Sequence, residues 1–436
     1  MRRIAPDRNT EINFGRFLRN SRVTINGIKA AYMDNHGQLN KICAHRHILL
    51  VEDTSELSFG LEPHKTGLSK VGNGKEAGFY LHPVIVLDAS DGGCLGLGET
   101  EIYQRTTYEQ GDPMNDAKYR SKELQKKPFC DKESYRWYSA IAKTLKRTPD
   151  AVRHTVLADR ESDIYEAMCG FIDLKCDFVL RAQYLDRTLN YDRSGHSVAK
   201  ELAQWSSKGS YSFDLPPTDK RSAHTAVLEI KFGVVLLARP HAGVVKHLPK
   251  TIKVSVVEVK ERSESVVNNE QPIHWVLLTS HTINSIEEAL QIIRFYRWRW
   301  VIEQVFRTLK SQGLDMEKSE VTTYEGLANL ALMALIAAVQ IMQLVQARDG
   351  NTSQPIQSVF TEPEIEVLKK LNPTLEGRND KLKNPHSPQT LAFAAWVIAR
   401  LAGWSGYKSQ RPAGPITMKL GFTRFKAIAQ GFYLRI

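Results

Sequence analysis

Three acidic residues of this chain stand where rigid elements would hold them for chemistry. Asp53 follows the apolar run 47–51, and Asp159 follows the apolar run 155–158. Both runs are typical of strands, and strand ends are stable platforms for functional side chains. Glu303 lies in a stretch with helical periodicity. Three such carboxylates can hold two hard divalent cations, about 3.5 to 4 Å apart, that clamp the attacking and leaving oxygens of a phosphodiester.

The segment that carries Glu303 also supplies cations and aromatic rings. If residues 296–310 form one helix, with about 100° per residue, four of them project within an arc of roughly 60°: Tyr296, Arg299, Glu303 and Lys310. Trp300 and Arg307 widen this stripe modestly. The opposite side carries apolar residues that can dock on a core, namely Val301, Ile302, Val305 and Leu309. We therefore expect a single docked helix that presents one carboxylate among cations, which suits a metal ligand beside a polyanion.

Each acid also has an ordinary structural interpretation. Asp53 before a threonine is typical of a turn, and Asp159 ahead of a helix is a good N-terminal cap. Glu303 has an arginine four residues away on each side, which is the spacing of surface ion pairs. Only the joint order of the three acids along a βββαβα pattern favours the site over these alternatives.

Composition narrows the class of partner. The chain has 436 residues, 42% of them hydrophobic, and 59 Lys and Arg against 48 Asp and Glu, for a net charge of +11. This excess favours a phosphate-rich partner. The five cysteines show no CxxC spacing, and neither HExxH nor GxSxG occurs, so a disulfide framework, a catalytic zinc and a serine-hydrolase elbow are not indicated. The N-terminus has no apolar h-region, and a reducing cytosol fits best.

Apolar runs and turn signals predict the elements around these acids. The predicted strands are 47–51, 79–88, 93–103, 155–158, 177–181 and 273–279, and the glycines of 90–93 predict a hairpin turn. Period-two alternation predicts an antiparallel β insertion at about 183–271. The predicted helices are 133–147, one from Ile164, one from Ser285, 390–401 and a short basic one at 423–430. We expect 105–132 to be a long surface loop, 327–346 a helix buried in the protein, polar loops after 346 and a rigid turn at 411–415.

These residues resemble a known signature. The spacing of Tyr296, Arg299, Glu303 and Lys310 is similar to Y-(2)-R-(3)-E-(6)-K, which is typical of bacterial DDE transposases of the insertion sequence four family. The segment 159–163 resembles the DREAD-like segment that holds the family's second catalytic Asp, and 52–55 resembles the segment that holds its first. The order and separations match, including a β insertion before the Glu. The similarity runs from about Phe14 to the C-terminus.

The resemblance implies an α/β fold, with a ribonuclease H-like mixed sheet, a β-rich insertion and a helical C-terminal domain. It implies Asp53, Asp159 and Glu303 as ligands of two Mg²⁺ or Mn²⁺ ions. The implied reaction is nicking at a transposon end, hairpin formation, hairpin opening and strand transfer. Trp275 has the spacing of a tryptophan that handles a flipped base. The full set of predicted DNA-binding residues is Arg181, Trp275, Tyr296, Arg299, Trp300, Arg307 and Lys310.

The resemblance also implies partners and domains. We expect double-stranded DNA at transposon ends and targets, a homodimer in a synaptic complex, no membrane partner, and a nucleoid-associated cytoplasmic location. The predicted domains are 1–45, a remnant of an N-terminal DNA-binding domain; 46–350, the catalytic domain; and 351–436, the dimerisation region. Because 14–20 resembles the later part of the end-binding domain, we expect its first helices to be absent. The alternatives are a truncated non-catalytic DNA-binding or dimerising regulator that inhibits transposition, and a nuclease without strand transfer.

Overall fold

The chain forms two compact units. A computed structural model describes residues 7–35, 38–61, 64–106, 112–190, 195–215, 217, 222–267, 270–407 and 409–433. The first unit contains Met1–Thr107, Lys143–Val152 and Trp300–Ile436, and the second contains Tyr108–Ala142 and Arg153–Arg299. The chain therefore leaves the first unit and returns to it twice.

The elements alternate between strands and helices through most of the chain. The strands are β1 (His47–Glu52), β2 (Ser55–Ser58), β3 (Ser69–Val71), β4 (Glu76–Asp88), β5 (Cys94–Tyr103), β6 (Arg153–Ala158), β7 (Asp177–Arg181), β8 (Gly209–Leu215), β9 (His224–Ala238), β10 (Thr251–Glu261) and β11 (His274–Thr279). The helices are α1 (Arg8–Arg19), α2 (Ile25–Asn35), α3 (Leu39–Cys43), α4 (Ala117–Lys126), α5 (Arg136–Arg147), α6 (Tyr165–Asp173), α7 (Val198–Gln204), α8 (Ile286–Trp298), α9 (Val301–Lys310), α10 (Tyr324–Ala347), α11 (Glu362–Leu375), α12 (Leu391–Leu401) and α13 (Pro415–Tyr433).

The sheet of the first unit is built around β4. Along one edge β4 pairs antiparallel with β1 and then with β2, and along the other it pairs antiparallel with β5 and β3. The turn between β4 and β5 contains Gly92 at φ +76°, a left-handed conformation that glycine adopts without strain. The hairpin predicted from the glycines of 90–93 is therefore confirmed.

The second unit contains a mixed sheet. Its strand order is β6-β7-β11-β10-β9-β8, in which β6 and β7 are parallel and the remaining neighbours are antiparallel. β8, β9 and β10 are antiparallel strands within 183–271, where period-two alternation predicted strands, and α7 is an additional short helix. Helices and a mixed sheet together make this an α/β protein, as predicted, and the arrangement is compatible with a ribonuclease H-like core.

Helix α10 is the longest helix of the first unit and is strongly apolar. It is long and apolar enough to cross a membrane by length and composition alone, but 72% of its most apolar 18-residue window is buried within the protein. The expected buried helix at 327–346 is thus confirmed. Its neighbours in the first unit include α1, α2, β5, α9, α12 and α13.

Local capping signals explain two further helix starts. The side chain of Ser285 accepts a hydrogen bond from the backbone N–H of Glu288, whose carboxylate bonds back to the Ser285 N–H, so α8 begins with a complete capping box. Thr390 caps α12 by accepting from the N–H of Phe393. Both starts agree with the sequence-based predictions.

The expected loop at 105–132 is wrong for most of its described part, and 107–111 lie outside the described residues. It contains α4, capped by Asp116, whose side chain accepts a hydrogen bond from the N–H of Tyr119. No residue of α4 is buried, so the helix has no apolar stripe for a periodicity argument to detect.

The expectation of polar loops after residue 346 is wrong for Glu362–Leu375, which form helix α11. Helix α11 begins with a capping box between Thr361 and Glu364, a pattern that the sequence does contain. The short helix expected at 423–430 is instead the 19-residue α13. Pro415, placed in a rigid turn by the prediction, is its first residue, where a fixed φ suits a helix start. Gly421 lies so close to the Ile398 carbonyl oxygen that a Cβ would be 1.9 Å from it.

Candidate active site

The first predicted acid lies at the end of β1. Residues 48–52 of this strand are buried, and Asp53 follows them half-buried. Its Oδ1 accepts a hydrogen bond of 2.8 Å from the backbone N–H of Thr54. The carboxylate thus uses one oxygen to fix its own direction, which agrees with the alternative of a turn residue and is also compatible with a ligand role for the carboxylate.

The second predicted acid has the same local arrangement. Asp159 follows β6, and its Oδ1 accepts a hydrogen bond of 2.8 Å from the N–H of Arg160. It caps a short 3-10 turn at Arg160–Ser162, so the capping alternative is realised as well. The Asp159 side chain is 33% exposed, which leaves the carboxylate accessible.

Three predicted site residues surround Asp159 within the second unit. The hydroxyl of Tyr296 donates to Asp159 Oδ1 at 3.2 Å. Arg181 Nη1 lies 3.8 Å from the same oxygen, and Arg299 Nη2 lies 3.6 Å from Oδ2. We call these four residues the Asp159 cluster: Asp159, Arg181, Tyr296 and Arg299. Two positive charges against one negative charge leave the cluster cationic.

Tyr296 connects Asp159 to Arg299 and Trp275. Burial, and then the charge of Asp159, raise the pKa of Tyr296 to about 12, although two nearby arginines oppose the shift. The phenol therefore stays protonated at neutral pH and remains a donor to Asp159. The ring of Trp275 packs edge-on against Tyr296, with 5.4 Å between ring centroids. The Arg299 guanidinium lies 5.6 Å from the centre of the Tyr296 ring, a cation–π distance.

The single helix expected at 296–310 is wrong. α8 ends at Trp298 and α9 begins at Val301, and the N–H of Arg299 bonds to Tyr296 O, three residues back, as in a 3-10 turn. Trp300 has a ψ of −12°, which departs from the regular α-helix. The sequence gives no warning, because neither glycine nor proline stands at the break.

The expected exposure of the stripe is likewise only partly correct. Tyr296 is 2% exposed and Arg299 is 3% exposed, because both side chains turn toward Asp159. Trp300 is 51% exposed and Arg307 is exposed. The stripe is therefore divided into a buried part in the second unit and an accessible part in the first.

Glu303 lies in the first turn of α9, in the first unit. The apolar side of this helix is buried as predicted, through Val301, Ile302, Val305 and Leu309. Glu303 itself is half-buried on the other side. At the end of the same helix, Lys310 Nζ lies 3.5 Å from Glu317 Oε1. The buried apolar residues therefore fix the helix that carries Glu303, Arg307 and Lys310.

A buried carboxylate that the sequence analysis did not single out supports the Asp159 cluster. The Asp163 side chain has no exposed surface, and its Oδ2 accepts from the N–H groups of Gln183 and Tyr184, at 2.8 and 3.2 Å. Its Oδ1 accepts from Arg187 Nη2 at 2.6 Å. Since Asp163 lies four residues after Asp159 and Gln183 two residues after Arg181, this carboxylate fixes one cluster segment against the other.

A second supporting group lies beside Asp53. His82, on β4, contacts both Glu52 and Thr54, the two residues that flank Asp53. Neither His82 nor Asp163 is detectable from local periodicity, because each acts on residues that are distant along the chain. The only signal in the sequence was the residue type at each position, a histidine and an aspartate, both of which can take part in a functional site.

The three acids fit a hard divalent ion by donor chemistry, because carboxylate oxygens are preferred ligands of Mg²⁺ and Mn²⁺. Within the ranges that the structure describes, no group of three or more His, Cys, Asp and Glu side chains is arranged to hold a metal ion. Asp159 faces two guanidinium groups and a phenol. The ligand set Asp53, Asp159 and Glu303 therefore stays a prediction.

A half-exposed carboxylate at a strand end, next to two arginines and a phenol, suits a phosphate ester substrate. Residues 138–340 match the family model of the transposase DDE domain. The match supports a DDE transposase, an enzyme class that cleaves and joins DNA strands and generally uses divalent metal ions. The matched range includes the Asp159 cluster and Glu303, whereas Asp53 precedes it.

Proposed function

We propose that this chain is a cut-and-paste DNA transposase of the insertion sequence four type. It would nick DNA at the ends of its element, form and open hairpins, and join the freed ends to a target. The observation that carries the proposal is the Asp159 cluster within the segment that matches the transposase DDE domain. The cluster combines a carboxylate with the cations that a phosphodiester requires.

In this proposal Asp53, Asp159 and Glu303 hold two Mg²⁺ or Mn²⁺ ions. When bound, such ions activate the attacking oxygen and stabilise the leaving oxygen of a phosphodiester. Asp53 and Asp159 are each oriented by the N–H of the following residue, so each keeps a fixed direction. Glu303 is held by the buried side of α9.

The cations have two proposed roles. Arg181 and Arg299 compensate the Asp159 charge in the free protein and contact a phosphate when DNA is present. Because arginine presents several N–H donors in a planar fork, it can serve a carboxylate and a phosphate in turn. Arg307 and Lys310 contact the backbone further along the strand. Arg307 is exposed and Lys310 is half-buried, and this access, together with the net charge of +11, supports the role.

The aromatic residues would handle bases. Trp275 lies against Tyr296, so a base displaced from the stack near Asp159 would meet an indole that is already held in place. Tyr296 keeps its proton and its hydrogen bond to Asp159, which orients the carboxylate. Trp300, with half of its surface exposed, is positioned to stack on a base or sugar. The protein would act as a homodimer in a synaptic complex on the bacterial nucleoid.

The test uses a supercoiled plasmid that carries the genomic DNA flanking this coding sequence on both sides. With Mn²⁺ or Mg²⁺ the full chain should give nicks, hairpin ends and strand-transfer products, and EDTA should abolish all three. Glu303→Gln should lower the cleavage rate by a factor on the order of 10⁴, since it removes a proposed ligand. Products are resolved on native and denaturing gels.

Glu366→Gln is the matched control. Glu366 lies on α11 in the same unit and pairs with Lys369 on the surface at 2.8 Å, so the same chemical change should leave cleavage intact. Cleavage that survives EDTA, or a Glu303→Gln variant as active as the parent, would contradict the proposal. Cleavage without joined products would favour the nuclease alternative.

A further inference from the structure

The strand that leads to Asp53 is interrupted where Asp53 stands. β1 pairs with β4 up to Glu52 opposite Val84, and β2 pairs with β4 from Ser55 opposite Leu81. The register is the same on both sides of the gap, so Thr54 lies opposite His82 and Asp53 lies opposite Pro83. Proline has no N–H to donate to a ladder, which explains why regular pairing stops there.

The His82 side chain bridges the gap. Its Nδ1 lies 2.9 Å from Thr54 Oγ1, and its Nε2 lies 3.2 Å from Glu52 Oε2. Both His82 and Glu52 have no exposed surface. If Glu52 Oε2 accepts from Nε2–H, then Nδ1 accepts from the Thr54 hydroxyl, and a single imidazole tautomer makes both contacts. The contacts replace ladder bonds across the interruption.

The geometry also sets the direction of Asp53. Successive side chains of an extended chain point to opposite faces. Glu52 and Thr54 both turn toward His82, so the side chain between them is directed to the other face. A one-residue shift in the register of this segment would turn the Asp53 side chain to the face that His82 occupies.

We infer that His82 is a positioning residue that holds the Glu52–Thr54 segment so that the Asp53 carboxylate faces the reacting phosphate. The inference rests on the proposed role of Asp53. His82 does not touch substrate in this scheme and acts only through Glu52 and Thr54. Mutation of a group that orients a metal ligand in this way typically lowers activity or metal affinity by about 10- to 100-fold.

The experiment compares Thr54→Val with Thr54→Ser in the full chain. Valine keeps the β-branched shape and removes the hydroxyl, whereas serine keeps the hydroxyl. Without added metal or DNA, hydrogen–deuterium exchange should accelerate about tenfold in peptides covering 52–56 for Thr54→Val and stay near the parent rate for Thr54→Ser. In the plasmid assay, kcat should fall about 10- to 100-fold for Thr54→Val and recover in Thr54→Ser.

His82→Phe tests the same bridge from the other side and should reproduce both effects. Its matched control is His224→Phe in the second unit, which removes a similarly buried pair with Glu261 at 2.9 Å. That variant should leave exchange in 52–56 and the metal requirement unchanged. If His82→Phe does not fold, the Thr54 pair alone decides.

The inference and the proposed function fail in different ways. If the parent chain cleaves DNA and Asp53→Asn does not, but Thr54→Val keeps the parent kcat, the positioning role is wrong. It is also wrong if kcat falls equally in Thr54→Val and Thr54→Ser, or if exchange in 52–56 is unchanged. A parent chain without metal-dependent cleavage refutes the proposed function, while exchange in 52–56 still reports whether His82 holds the segment.

Discussion

Asp163→Asn is the substitution for which the structure gives the clearest expected magnitude. The change keeps the shape of the side chain and removes its charge. In the native protein Oδ2 receives two backbone N–H groups, from Gln183 and Tyr184, and Oδ1 receives the Arg187 guanidinium. Asparagine has one oxygen and one NH₂ group. In either orientation, its NH₂ group faces a donor.

The expected cost follows from these contacts. A hydrogen bond to a charged partner contributes about 1.5 to 3 kcal/mol, and breaking a buried ion pair by removing one charge costs about 3 to 5 kcal/mol. Asp163 has no exposed surface and Arg187 is 12% exposed, so water cannot readily replace the lost contacts. We expect the free energy of unfolding of the second unit to fall by about 3 to 5 kcal/mol.

Differential scanning calorimetry measures this loss. For a unit of roughly 150 to 250 residues, 1 kcal/mol corresponds to about 2 to 4 °C, so the transition of the second unit should shift down by roughly 6 to 20 °C. Asp186→Asn is the control. Asp186 is exposed in the same segment, and an exposed substitution of this type should change the unfolding free energy by less than about 0.5 kcal/mol.

The result also bears on the Asp159 cluster. Asp163 links the segment of Asp159 to the segment of Arg181, so its loss should raise hydrogen–deuterium exchange in both segments below the unfolding temperature. A shift of less than about 2 °C, equal to that of Asp186→Asn, would refute the argument that this carboxylate fixes the two segments.

Two further predictions concern titration and thiol chemistry. Burial raises the pKa of Asp88, but hydrogen bonds from Ser90 and Arg46 outweigh it and hold the pKa below its ordinary value of 3.8. The ionised Asp88 carboxylate therefore stabilises the folded protein above about pH 4, and this stabilisation is lost as the pH falls through its folded-state pKa. The difference in the free energy of unfolding between the parent and Asp88→Asn should shrink from pH 6 to pH 3 in urea titrations. A difference that stays constant over this range would contradict the prediction. In the native protein a thiol reagent such as DTNB should label Cys130 rapidly and no other cysteine, and the fast phase should be absent in Cys130→Ser. The other four thiols are buried, and burial raises the pKa of three of them to about 12. A second fast thiol would contradict the burial of Cys43, Cys94, Cys169 and Cys176.

Local signals predicted the elements that depend on local physics. The glycines before Cys94 predicted the β4–β5 hairpin, and Ser285 marked the start of α8. The apolar side of α9 followed from its periodicity. In each case the residues that decide the structure lie within a few positions of one another.

Features set by distant contacts were missed. Tyr296 and Arg299 are buried because they turn toward Asp159, and no local pattern encodes that preference. The break after Trp298 likewise has no glycine or proline to mark it. The bridge through His82 depends on a pairing partner almost thirty residues away from Thr54. Sequence patterns located the candidate acids, but only the fold identifies the groups that hold them.

Helix α10 is synthesised before some of the helices that cover it. The ribosome completes α10 before it makes α12 and α13, two of the helices that pack on it. During this interval part of the apolar surface of α10 is exposed on the nascent chain, and chaperones would bind this surface. A stop codon between α10 and α12 would therefore yield an aggregating product and not a smaller working protein.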